Sequence, residues 1–190
     1  MKNIVIIKGS MRPNNYTSMA VNVLIDEINK NHTVSYQIID PKDFKLPFPG
    51  TNDHSVDAVR LTAIVKTATG IIFATPEYHG SFSSVIKLII ENLGFPSALA
   101  GKPIGLLGVA AGDIGAVKSL ENLRSVCSHV GGIVLPGPVS IPHVRDVFDD
   151  DGKCVNQKME NRIRGLFLNL VDYIDQYLCP KVNLEDLVRN

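Results

Sequence analysis

The sequence has no C-x-x-C pair, no apolar run long enough to cross a bilayer and no excess of one charge. Its three cysteines, Cys127, Cys154 and Cys179, are odd in number and far apart. That argues against a disulfide framework and points to a reducing cytoplasm. The first apolar segment, Ile4-Val5-Ile6-Ile7, stops at Lys8, too short for a signal-peptide core or a membrane span. With no secretion route, Asn15-Tyr16-Thr17 and Asn31-His32-Thr33 are chance matches to the glycosylation triplet. Nineteen basic and nineteen acidic residues cancel, leaving no broad footprint for nucleic acid or an anionic membrane. Also missing are a G-x-G-x-x-G after the first strand and a Walker A sequence, which weakens a dinucleotide or nucleoside triphosphate site of either kind.

What is present suffices for one domain over residues 1–190. At 45% hydrophobic content the chain buries a full core without disulfide or metal staples. Strands and helices alternate. A strand at 3–8 leads to a helix at 16–30, and Val34, Tyr36 and Ile38 alternate as in a half-buried strand. A proline-rich loop fills 41–52. A helix follows at 54–69 with Val56, Val59, Ala63 and Ile64 on one side, then a strand at 70–75 and a helix at 82–93. Further strands are expected at 102–109 and 133–141, with helices at 115–130 and 156–178. The last helix shows the clearest period: Ile163, Leu166, Phe167, Leu170, Val171, Ile174 and Leu178 form a stripe that reads as core packing. Five strands alternating with five helices imply an α/β fold with right-handed crossovers. The count favours a flavodoxin-like three-layer sandwich, a five-stranded parallel sheet of order 2-1-3-4-5.

The most informative segment is Thr75-Pro76-Glu77-Tyr78-His79-Gly80-Ser81. It leaves a buried apolar strand and feeds an amphipathic helix whose serines can cap its first turn. Open α/β sheets bind ligands at such strand ends. Pro76 is expected to end the strand ladder, and Gly80 permits close approach of backbone to a flat ring. The loop after the first strand, residues 9–18, offers Ser10, Asn15 and Thr17 as donors, Arg12 as a fixed charge, and a helix amino terminus. That set suits a phosphate monoester. Residue types alone equally allow a solvated turn whose Asn or Ser caps the helix.

Gly9-Ser10-x-Arg12 after the first strand, with Pro76-Glu77-Tyr78-His79-Gly80-Ser81 after the third, resembles the NAD(P)H-dependent FMN reductase family over about residues 1–175. That family includes quinone, chromate and azo-compound reductases. The resemblance implies non-covalent FMN and NADPH or NADH as electron donor. It implies the FMN phosphate at Ser10, Arg12, Asn15, Tyr16 and Thr17, and Pro76, Glu77, Tyr78, His79 and Gly80 along the isoalloxazine. Gly112 matches the loop that borders the ring. It further implies a homodimer or homotetramer and a small-molecule acceptor. The chain departs from the pattern at Asn15 and Thr17, where Ser and Asn are usual, and at His79, often Asn. The family's Trp late in the third helix is absent.

With FMN accepting hydride at N5, negative charge develops near N1 and O2. Backbone amides of residues 76–81, backed by the start of the helix at 82–93, would stabilise that charge. A flavodoxin-type electron carrier needs acidic surroundings instead, and this chain is neutral, so a two-electron reductase by a ping-pong scheme is the expectation. A carrier without turnover and a flavin-free interaction module are the rivals. No side chain is expected to act as a catalytic acid or nucleophile. Cys127 and His129 sit two apart on a helix and face different ways, Asp149-Asp150-Asp151-Gly152 lacks EF-hand spacing, and so no metal site is expected. His143 follows Pro142 in a loop that can bring it towards the active site, though nothing requires it, and Tyr78 either stacks near the acceptor or packs on the third helix.

Overall fold

The computed structural model describes residues 2–51 and 55–178; Cys179 and the expected start of the second helix at His54 lie outside them. The elements in chain order are β1 (Lys2–Lys8), α1 (Tyr16–Asn29), β2 (Val34–Ile39), α2 (Val56–Thr67), β3 (Gly70–Tyr78) and β4 (Ser81–Phe82). They continue with α3 (Ser84–Glu91), β5 (Pro103–Val109), α4 (Val117–His129), β6 (Ile133–Val134), β7 (Val139–Ile141), α5 (Val144–Val147) and α6 (Gln157–Tyr173). Pro41–Asp43 adds a 3₁₀ turn inside the proline-rich loop. No helix among the described residues is long and apolar enough to cross a membrane.

The parallel sheet runs β2-β1-β3-β5, with β6 and β7 sharing the position beyond β5. This is the expected order, with its fifth strand split in two. Pro136 and Pro138 lie between the halves, where they supply no N–H to a ladder. The central strands are apolar on both faces. Ile4, Ile6, Ile72, Ala74, Leu107 and Val109 point into a core with α1 and α6. Val5, Ile7, Ile71, Phe73, Ile104 and Leu106 point into a second core with α2, α3 and α4. That explains why these strands read as continuous hydrophobic runs rather than as alternation.

Helix starts follow their capping residues. Asn15 Oδ1 accepts from Ser18 N at 2.9 Å, Ser55 Oγ from Ala58 N at 3.3 Å, and Ser83 Oγ from Ile86 N at 3.4 Å. Asn156 does the same for α6 through Met159 N at 3.1 Å. The glycines of β5 are packing positions. A Cβ on Gly108 would lie 2.5 Å from Ala116 Cβ, and one on Gly105 3.2 Å from Leu166 Cδ1. They let α4 and α6 approach the sheet from opposite faces.

Three expectations change. The buried side of α2 carries Leu61 and Val65, while Val56, Val59 and Ala63 are exposed. Both sets have helical spacing, so only the position of the sheet decides between them. In β2, Ile38 is exposed and Ile39 is buried, because Ile39 joins the second core. The stripe of α6 is buried through Ile174, but the chain passes there into a π-helical turn (Ile174–Leu178). The wider turn takes Leu178 off the stripe and leaves it exposed.

Candidate functional site

The loop leaving β1 crosses the end of β3 at short range. Gly9 N donates to Ala74 O at 2.7 Å, and a Cβ on Gly9 would meet Ile86 Cγ1 at 2.7 Å. Only glycine allows this passage between β3 and α3. Ser10 follows, 2% exposed, its Oγ accepting from Arg12 N at 3.4 Å. Asn14 adopts a left-handed φ of 45° and turns the chain into α1. Asn15 spends its side chain on the loop itself: Oδ1 caps α1, and Nδ2 donates to Arg12 O at 2.7 Å. The capping reading thus holds for Asn15, whose amide is not left to donate to a phosphate as expected, and the phosphate reading rests on the other groups of the loop. Among the described residues no hydrogen bond uses the N–H groups of Tyr16 and Thr17. They are open donors at the positive end of α1. Behind the loop Lys8 Nζ meets Asp40 Oδ2 at 2.6 Å. Burial opposes ionisation of Asp40, but the Lys8 ammonium and the Lys42 N–H outweigh it and hold the carboxyl below its ordinary value.

The segment after β3 is a hairpin. The strand does not end at Pro76 but runs to Tyr78, with Pro76 in register with Val109 of β5. Ala74 O faces β1, where it accepts from Gly9 N. Thr75 therefore faces β5, and Pro76 faces the side that β1 has already left. Its missing N–H costs no ladder bond. Glu77 pairs with Phe82 and Tyr78 with Ser81, and the two turn residues, His79 and Gly80, have φ of 50° and 73°. Paired positive φ angles give a type I′ turn, the geometry that matches the twist of an antiparallel hairpin.

Side chains lock this hairpin to its neighbours. The hydroxyl of buried Thr75 donates to Pro76 O at 2.9 Å and accepts from Ser83 N at 3.2 Å, joining the strand to the cap of α3. Helix α4 has no cap of its own at Ala116; Glu77 Oε2 instead accepts from Ser119 N at 3.0 Å. Asn122 Nδ2 donates to Gly80 O at 3.3 Å. The first turns of α4 therefore hold the hairpin at its base and its tip.

One cleft of about 440 Å³ joins these parts. It is lined by Ser10, Arg12, Asn15, Tyr16, Thr17, Pro76, Glu77 and Tyr78, all expected from sequence. His79 and Gly80 sit at the hairpin tip and Gly112 in the loop after β5, outside that lining. Sequence reasoning missed Pro13, Asn14, Val109, Ala110, Ala111, Val144 and Arg145, which complete the wall. Pro13 and Asn14 belong to the expected phosphate loop and Ala110 and Ala111 to the loop of Gly112, while the hint for Val144 and Arg145 was His143, which precedes α5 with φ of 45°. The tether residues Thr75, Ser119 and Asn122 carried no signal, since their partners are distant in sequence. The fit to FMN can be judged on donors. A buried hydroxyl, two open helix-start N–H groups and a guanidinium with no ion pair among the described residues come from the one loop that lines this cleft, which suits a phosphate monoester. Next to them runs a wall of strand-end backbone with Tyr78. Among the described residues no His, Cys, Asp or Glu cluster could hold a metal.

Comparison with known proteins agrees with this geometry. The chain is 28% identical over 180 residues to the FMN-dependent NADPH-azoreductase of Staphylococcus aureus, covering 90% of this chain and 93% of that protein. Among solved structures it resembles FerB, a flavoenzyme NAD(P)H:(acceptor) oxidoreductase from Paracoccus denitrificans, with a TM-score of 0.80 and 21% identity. That match covers 93% of this chain and 99% of the other. A Streptococcus pneumonia flavodoxin shares the fold at a TM-score of 0.61 and 16% identity, over 90% of this chain and 98% of its own. A family model described as NADPH-dependent FMN reductase matches residues 2–146, a span that contains every residue lining the cleft. The chain belongs to that family of FMN- and NAD(P)H-dependent oxidoreductases.

Proposed function

We propose that this protein passes two electrons from NADPH or NADH to a small acceptor, a quinone, azo compound, chromate or free flavin, by a ping-pong scheme. The observation that carries the reading is the single cleft in which the β1–α1 loop and the β3–β4 hairpin meet. When bound there, FMN supplies the chemistry, taking a hydride and passing the electron pair on. The protein's part is binding and orientation. Ser10, the N–H groups of Tyr16 and Thr17, the Thr17 hydroxyl and Arg12 would hold the phosphate. No hydrogen bond among the described residues uses the N–H groups of His79 and Gly80, which leaves them free to donate to the polar edge of a ring. The hairpin is rigid through Thr75, Glu77 and Asn122, so these donors would need no reorganisation when charge develops.

The open cleft suits small acceptors, and the azoreductase activity named for the Staphylococcus aureus relative recommends an azo dye in the first assays. A cytoplasmic setting and a homodimer or homotetramer belong to the same proposal. Free thiols at Cys127 and Cys154 suit the first, and the fully exposed Phe95 suits a subunit contact. The test combines spectrum and turnover. The purified protein should be yellow, or become so with FMN, and should oxidise NADPH or NADH only when an acceptor is supplied. A yellow protein that turns over neither nucleotide with any of the four acceptors would be a carrier; one that binds no FMN would be neither.

A further inference from the structure

The loop proposed to hold the FMN phosphate contains one cation, Arg12, whereas a phosphate monoester carries nearly two negative charges at neutral pH. The structure places a second guanidinium in the same cleft. Arg145 of α5 and Arg12 are the two cationic side chains among its lining residues, and the only carboxylate there, Glu77, is engaged by Ser119 N. Neither arginine forms an ion pair among the described residues. The other cations near the loop are occupied: Lys8 pairs with Asp40, and Lys42 Nζ points to Arg12 O at 3.4 Å.

Arg145 is presented by a built element. Val144 and Val147 on either side are buried, which fixes α5 on the core and leaves Arg145 exposed. Val144 N donates to Ala110 O at 3.0 Å, and His143 N to Gly112 O at 3.4 Å, tying α5 to the loop after β5. Among the described residues no acid forms an ion pair with Arg145. Asp113 lies 3.4 Å from His143 Nε2, Asp149 Oδ1 accepts from Lys153 N at 2.7 Å, and adjacent Asp146 makes no ion pair with Arg145. An uncompensated guanidinium held over a cleft that already contains another leaves a net positive charge for a ligand to neutralise.

We propose that Arg145 is a second phosphate-recognition residue, which acts with Arg12 on the dianion of a phosphate monoester. This rests on the reading of the cleft as an FMN site. Two ligands of the reaction bring such a group: FMN itself, and NADPH through its 2′-phosphate. Riboflavin and NADH are the same molecules without it, so four titrations separate the sources. Apoprotein is titrated with FMN and with riboflavin, and FMN-loaded protein with NADP⁺ and with NAD⁺ by calorimetry, for the native chain, Arg145→Ala and Arg145→Lys.

A charge-assisted, forked contact predicts that Arg145→Ala weakens one phosphorylated ligand about ten- to a hundredfold. Its unphosphorylated partner should change less than twofold, and Arg145→Lys should recover part of the loss. Loss confined to FMN assigns the monoester to the flavin; loss confined to NADP⁺ assigns it to the dinucleotide. The proposal is overturned if both ratios, FMN to riboflavin and NADP⁺ to NAD⁺, are unchanged in Arg145→Ala, or if both members of a pair weaken equally. An unchanged melting temperature shows that the variant is folded, as an exposed side chain without polar partners among the described residues should allow. If the native apoprotein binds no FMN at all, the cofactor reading fails with it. If it binds FMN and only the ratios stay flat, the Arg145 assignment alone is lost.

Discussion

The guanidinium carbon of Arg12 lies 5.0 Å from the centroid of the Tyr78 ring. This contact joins the loop after β1 to the hairpin after β3, across the cleft that both line. A cation–π contact at an exposed site contributes about 0.5–1 kcal/mol. A phosphate would offer Arg12 a stronger partner without requiring it to leave Tyr78, since the edges of a guanidinium donate while its face stacks.

The first prediction concerns this arginine. Arg12→Ala should weaken FMN by about 1.5–3 kcal/mol and riboflavin hardly at all, the range for charge-assisted hydrogen bonds. Unfolding midpoints of the apoprotein should be nearly unchanged, because Arg12 is exposed and has no ion-pair partner among the described residues. Fluorescence titration with both flavins reads the difference. An early-melting apoprotein that still holds FMN normally would make Arg12 a structural residue.

Glu77 carries the second. Its carboxylate caps α4 from another element, so Glu77→Ala should cost about 1 kcal/mol of stability, as loss of an ordinary helix cap does. The hairpin loses its base tether at the same time. NADPH oxidation should slow, while the preference for FMN over riboflavin, set in the β1–α1 loop, should stay. Glu77→Gln keeps an acceptor oxygen and should lie between the two. Denaturant unfolding and steady-state rates on the three proteins check both halves.

The strand–helix order and both site loops could be read from the sequence because each is a local pattern: an apolar run, a capping residue, a Gly-Ser-x-Arg or a Pro-Glu-Tyr. What was illegible depends on neighbours. Pro76 reads as a strand terminator until it is known that β1 has already departed on its N–H side. The glycines of β5 weaken its strand reading until Ala116 and Leu166 are seen filling the space they leave. Val56 and Val59 have a helical spacing as good as that of Leu61 and Val65, and periodicity cannot rank them. Arg145 belongs to no motif of the sequence. Its place in the cleft comes from the split fifth strand and the turn at His143, neither of which leaves a motif.

The third prediction follows from burial of a thiol. Cys127 is fully buried against the second core, and burial pushes its thiol up to about 12. Almost no thiolate exists at neutral pH, so an aromatic disulfide reagent should not label Cys127 in the native state. Burial also raises Cys154, but it is only partly covered and should react slowly. Peptide mapping after labelling, with and without denaturant, should show Cys127 modified only in the unfolded sample.

Acid stability gives the fourth. Arg164 of α6 reaches Asp26 at 2.5 Å and Glu27 at 2.9 Å on α1, and Glu160 at 2.6 Å on its own helix. Its hydrogen bond leads the causes that lower Asp26; for Glu27 the Lys30 bond leads and Arg164 adds to it. Both carboxyls are therefore lower when folded than when unfolded. The stability they contribute is fully present above their ordinary values of 3.8 and 4.5, and drains away as pH falls through the folded ones. Arg164→Met keeps the apolar stem and removes the charge. It should cost about 1 kcal/mol at pH 7 and make the fall in melting temperature between pH 5 and 3 shallower, with scanning calorimetry as the measurement.

The last prediction concerns the order of events during turnover. The β1–α1 loop, the hairpin residues 76–78 and the α5 wall line one cleft, and the clefts at 87–131 and 58–94 do not reach those hairpin residues. If FMN occupies this cleft as proposed, the nicotinamide and the acceptor would share one site on it, and the oxidised nucleotide would depart before the acceptor enters. Initial rates at several fixed acceptor concentrations should then give parallel double-reciprocal lines. The acceptor should inhibit competitively against NADPH at high concentration, since each substrate excludes the other from one site. Intersecting lines would mean that both are bound together, and would require a second binding surface away from this cleft.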